Sequence, residues 1–261
     1  RQGITSFVTG NCGLSAIGFE SESQHVDKIG GGLFSYADTT GKYPTVSEFF
    51  SAIDRNTPCN IAVLAGHCTA RASVAGYENR PLSESEHKKM LGIMENALKE
   101  GACGLSLGLM YEPGIYAGID ELKDVAKLCE KYDRPMTVHP RACSAVSMTY
   151  PLLGRPHLLR ALDELVEIAS GSRMKLHYSH AIFVGRRSFR CKDELMDILH
   201  GLRDKGVDIG FDIYSELLGV SVITVVLPAW YQAFTPQQKK HWFNKLKLRI
   251  LTDASILLLG F

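Results

Sequence analysis

The chain has 261 residues, 45% of them hydrophobic and 22% charged, with a formal net charge of +1 at pH 7. That composition suits a globular domain with a sizeable core, and the scattered charge offers no field for nucleic acid or an anionic membrane surface. Seven cysteines without the regular spacing of a disulfide scaffold fit free thiols in a reducing, cytoplasmic compartment, and no apolar run is long enough for a membrane span.

In chain order, residues 5–9 read as a strand, and the glycine-rich stretch 10–32 that follows reads as a long loop. Thr45-Val46-Ser47-Glu48 is a capping box opening a helix to about Ile53. Residues 60–65 read as a buried strand ending at Gly66-His67. A second capping box, Ser83 to Glu86, precedes Met90, Leu91, Met94, Ala97 and Leu98 at helical spacing, and Gly101 stops that helix. Residues 102–109 are the next strand, turning through Tyr111-Glu112-Pro113-Gly114 into a helix over 120–132. Strands at 134–139, 174–178 and 207–214 alternate with helices over 158–170 and 193–205, and Thr235-Pro236 opens a last helix. The order is strand then helix, repeated, with six strands, so an α/β fold with a parallel sheet is predicted. A barrel is favoured over an open doubly wound sheet, because no glycine-rich loop has the spacing of a dinucleotide or phosphate fingerprint.

His139 and His180 stand at the C-terminal tips of two of these strands, where a parallel barrel gathers its site. Cys12 follows the first strand at the same end. One thiolate and two imidazoles make a zinc set with a fourth position open. Taken singly, each histidine also fits an ordinary core or rim role. His177 is expected on the strand face opposite His180, which excludes joint ligation.

Thr9-Gly10-Asn11-Cys12-Gly13, Ala62 to His67 with Arg71, Gly101 to Leu109 with Tyr111 and Pro113-Gly114, His139 with Arg141, Ser179-His180, Asp212-Ile213-Tyr214 and Leu227 to Trp230 resemble the N-acyl-D-amino-acid deacylases of the amidohydrolase superfamily, collinearly from Gln2 to about Trp230. The resemblance implies a (β/α)8 TIM-type barrel of the metal-dependent hydrolase kind, with Zn2+ held by Cys12, His139 and His180. It also implies hydrolysis of a non-peptide linear amide, an N-acyl-D-amino acid or a similar small molecule, by a zinc-activated water. Tyr111, Arg141, Tyr214 and His67 become candidate substrate contacts, each with a structural alternative: a rim aromatic for Tyr111, a rim salt bridge for Arg141, and a histidine bonded to backbone carbonyls for His67.

Departures from that pattern matter. The family carries a His-x-His pair on its first strand and a catalytic aspartate on its eighth, and neither is found here; Asp253 is a weak candidate for the aspartate and reads better as a helix cap or loop residue. Ile182 stands where the family has a lysine, and Ser215-Glu216 replace a proline and an aromatic residue. With no initial methionine and an abrupt apolar end, residues 1–261 read as a catalytic barrel fragment holding about strands 2–7, without the flanking strands and a small β domain. Its unpaired strand edges then predict aggregation or pairing, a homo-oligomer included. The competing readings are a cyclic-amide hydrolase of hydantoinase or dihydroorotase type, which would carry a lysine ligand near 104–109, and a non-catalytic barrel remnant.

Overall fold

A computed structural model describes residues 3–25, 43–151, 153–216, 219, 221 and 223–259. Six strands, β1 (Ser6–Thr9), β2 (Asn60–Gly66), β3 (Gly104–Gly108), β4 (Pro135–His139), β5 (Lys175–Tyr178) and β6 (Asp208–Phe211), form one sheet in sequential order. Every neighbouring pair is parallel. A doubly wound sheet reverses its strand order at a switch point; this one never does, and the expected partial barrel is what forms.

The helices in chain order are α1 (Val46–Ile53), α2 (His67–Ala75), α3 (Glu84–Lys99), α4 (Ile119–Lys131), α5 (His157–Ala169), α6 (Arg186–Phe189), α7 (Lys192–Asp204), α8 (Ala229–Gln232), α9 (Pro236–Lys240) and α10 (Trp242–Leu259). Both predicted capping boxes are present, Thr45 with Glu48 and Ser83 with Glu86, and Thr235 with Gln238 makes a third. Alternation along the strands sorts side chains into two layers. Leu105, Leu107, Met136, Val138, Leu176 and Tyr178 join Met90, Met94, Leu122, Val125, Leu158, Leu162 and Leu199 from the helices in one core. The intervening positions, Ser106, Thr137, His139 and His177, are small or polar and engage the loop after β1 or a carboxylate beyond β6.

The sequence reading leaves the residues beyond Gly66-His67 unassigned; they continue as α2, buried along almost its whole length. Asp253 is neither cap nor loop: it lies inside α10, 69% exposed, beside Arg249 at 3.7 Å. The apolar run from residue 255 is part of the same helix and does not pack away, since Ile256 and Leu257 are 52% and 80% exposed. Of the predicted loop 10–32, residues 10–25 are turns and bends, and the remainder, with Gly30 to Gly32, lies outside the described residues.

Candidate metal centre

In a flat sheet β1 and β5 would be four strand spacings apart, about 19 Å. Yet Cys12, just past β1, places Sγ 3.2 Å from Nε2 of His180, just past β5, and 3.6 Å from Nδ1 of His139 at the end of β4. The sheet is therefore strongly curled, and its C-terminal tips converge. Among the described residues this trio is the cluster with metal-ligand geometry, its three donor atoms lying within 4.8 Å of one another.

The loop carrying Cys12 is held by polar side chains from three inner strands. Ser106 Oγ donates to the Gly10 carbonyl at 2.5 Å and accepts from the Gly13 N–H at 3.1 Å. Asn11 Oδ1 accepts from Thr137 Oγ at 2.6 Å and from Ser179 Oγ at 3.4 Å. Close approach demands glycine at Gly108, where a Cβ would run into the Cys12 carbonyl, and at Gly13, where it would sit 2.6 Å from the Gly108 nitrogen. Cys12 and His180 both adopt left-handed backbone, with φ of 57° and 62°. Non-glycine residues held in that region cluster at ligand and active sites.

Burial, then the nearby Cys68 and Asp212, push the Cys12 thiol up to about 12. Burial, then the neighbouring His180, depress His139 to about 3, leaving a neutral imidazole with a lone pair to donate. A thiol in that setting ionises only when a cation compensates it, so one sulfur and two nitrogens converging here suit zinc. Asp212 stands just past β6. Its Oδ1 accepts from the backbone N–H and Nδ1 of His180, both at 2.9 Å, and its Oδ2 from Nε2 of His177 at 2.8 Å. Burial opposes ionisation of this carboxyl, but the His177 and His180 hydrogen bonds outweigh it and hold the group well below the usual carboxylate range. His177 stays out of the ligand trio, yet it and His180 meet one carboxylate, because β5 ends at Tyr178 and the chain turns sharply at His180.

The candidate substrate contacts separate into two groups. Tyr111 is buried with its ring 4.9 Å from that of His139, and Tyr214 lies 5.2 Å from His180, so both border the cluster. Arg141 does not present its fork to the site: Nε and Nη2 bind Glu164 at 3.0 and 2.9 Å, and Nη1 and Nη2 donate to the Ile115 and Ala117 carbonyls. It is a buried rim salt bridge. His67, fully buried, contacts Glu121 Oε1 through Nε2 at 2.7 Å, and Arg71 Nε donates to that same oxygen at 3.0 Å. That cluster is separate from the Cys12, His139 and His180 trio, and the partner of His67 is a carboxylate in place of the expected backbone carbonyls. Cys143 has its Sγ 3.9 Å from His139 Nε2. Sequence reading missed Asn11 and the double role of Asp212; the available signal was a carboxylate one residue past a strand beside a histidine strand.

No protein-family model matches the chain. In sequence it is 28% identical over 201 residues to an N-acyl-D-aspartate deacylase and 26% identical over 226 residues to a D-aminoacylase, both of Alcaligenes xylosoxydans xylosoxydans, covering 76% and 85% of this chain. It spans only 37% and 43% of those proteins. In structure it resembles an N-acyl-D-glutamate deacylase from Bordetella bronchiseptica, solved with zinc and a phosphonate mimic of the tetrahedral intermediate. That match has a TM-score of 0.71 at 26% identity and covers 82% of this chain and 42% of that one.

Proposed function

We propose that this relative of the N-acyl-D-amino-acid deacylases is the catalytic barrel portion, over residues 1–261, of a zinc-dependent amidohydrolase acting on an N-acyl-D-amino acid or a similar linear amide. The observation that carries it is the convergence of Cys12, His139 and His180 from three strand tips. On this reading those three residues hold the ion. A bound zinc supplies Lewis-acid polarisation of a carbonyl and acidifies a water from 15.7 to about 7. Tyr111, whose hydroxyl burial keeps protonated, can donate to a substrate carbonyl oxygen, and the Tyr214 ring lies beside that of His180.

One observation favours a second reading. Among the described residues, the carboxylate that reaches the cluster is Asp212, both of whose oxygens are engaged by histidines, while Asp253 points to solvent from α10. No proton acceptor for the water is thereby identified. A barrel remnant that keeps the metal centre without catalysis fits this fact. The cyclic-amide alternative is less well supported, since β3, Gly104–Gly108, carries no lysine.

Elemental analysis of the purified chain beside Cys12→Ser and His180→Ala, followed by a panel of N-acyl-D-amino acids, tests the reading. Zinc near one per chain that falls in both variants, with amide hydrolysis that falls in parallel, is the expected result. Zinc without hydrolysis selects the remnant. A chain without zinc overturns the hydrolase reading and leaves a remnant without its metal.

A further inference from the structure

We propose that Asp212 and His177 act as a clamp that positions His180, fixing its ring as the Nδ1–H tautomer with the Nε2 lone pair turned toward Cys12. The consequence for zinc rests on the metal-centre reading above; the tautomer does not. The geometry is specific. A carboxylate accepts, so the ring nitrogen 2.9 Å from Asp212 Oδ1 is a donor, and in the neutral ring the lone pair is left on the other nitrogen, 3.2 Å from Cys12 Sγ. The same Oδ1 takes the His180 backbone N–H at 2.9 Å, and the Asp212 carbonyl accepts from the Ala181 N–H at 2.7 Å. Asp212 thus secures both the left-handed backbone and the ring.

His177 completes the arrangement by occupying Oδ2 at 2.8 Å, so the carboxylate cannot rotate without losing a charge-assisted bond. Its reach depends on strand register. In the ladder His177 lies opposite Gly210, two residues before Asp212. A Cβ at 210 would sit 3.3 Å from His177 Nδ1, so glycine leaves the ring room to lean across β6. His139 has no comparable support, because the partner of its outer nitrogen is the Cys143 thiol at 3.9 Å, a weak acceptor and donor. Outer partners of ligating histidines fix tautomer and orientation, and losing one costs about 10–100-fold in metal affinity.

The test uses the full chain labelled with 15N, metal-free for ring tautomers by long-range proton–nitrogen correlation, then in zinc competition against a chromogenic chelator. The wild type is expected to show a single Nδ1–H form of His180. Asp212→Ala should release it to a mixture and weaken zinc by about 10–100-fold. His177→Ala should loosen it partly, and His177→Gln, which keeps an N–H donor, should restore it. Because the His177 side chain is 35% exposed, those two variants give a reading even if Asp212→Ala does not fold. Unchanged tautomer in Asp212→Ala, or in His177→Ala, overturns the proposal. A wild type with the fixed tautomer but no zinc leaves the clamp standing and removes the metal reading. Zinc held in a His180-dependent manner by a ring populating both tautomers does the reverse.

Discussion

Cys12 reaches the centre of the barrel only because the residues around it are small. The Gly108 backbone lies against the Cys12 carbonyl, and Gly13 turns the chain with φ of 75° between Cys68 and Gly108. Side-chain volume added at Gly108 cannot be relieved by a rotamer change, since the first atom it meets is the Cys12 carbonyl oxygen. Gly108→Ala should therefore displace the Cys12 loop and abolish stoichiometric zinc while the helical circular dichroism is retained. A variant with wild-type zinc content would show that the loop has slack. That Cys12, His139 and His180 converge was legible from sequence through the family resemblance, since three residues on three strand tips share no local spacing. Asp212 was not: it meets His180 across 32 residues, and a carboxylate after a strand has many ordinary uses.

At the level of elements, strands and long helices declared themselves by period. Met90, Met94, Ala97 and Leu98 recur at helical spacing and are buried on α3. α2 gave no such pattern. It begins at His67, after an N-cap Gly66 that offers no side chain, and buries His67, Thr69, Arg71 and Ser73 alongside its alanines, so no polar face marks it as a helix. His67 and Arg71 are accommodated by Glu121 at the start of α4, while Thr69 bonds Ser15 and Ser73 the Ala70 carbonyl. Burial raises the Glu121 pKa, but His67 and then Arg71 outweigh it, and the net shift is downward. A carboxyl depressed in the folded state stabilises above its unfolded value, about 4.3, and that contribution disappears as pH falls from there through the folded pKa. Urea unfolding should thus lose stability steeply below about pH 4.3. Glu121→Gln should be less stable at pH 7 by roughly 3–5 kcal/mol, the cost of breaking a buried pair, and should show a shallower acid limb. Parallel pH curves for the two proteins would refute this coupling.

At the scale of the molecule, the sheet is open among the described residues: β1 and β6 are its two edges and do not pair with each other. Beside the first edge Ile4, Phe7 and Val8 are 65%, 45% and 59% exposed, and beside the second Phe211 and Ile213 are 46% and 66% exposed. α10 adds a solvent-facing apolar stripe of Trp242, Leu246, Ile250 and Leu257. Unpaired parallel edges flanked by apolar side chains are templates for further pairing, which closed barrels avoid. The chain on its own should therefore associate, its weight-average mass by sedimentation equilibrium rising with concentration. Val8→Lys and Phe211→Lys place charge at the two edges and should lower that mass, whereas Leu257→Lys reports on the helix stripe alone. Should the edge variants have no effect while Leu257→Lys dissociates the assembly, the helix and not the open sheet drives association. A monodisperse monomer that unfolds cooperatively at every concentration would mean that six strands close their core well enough without partners.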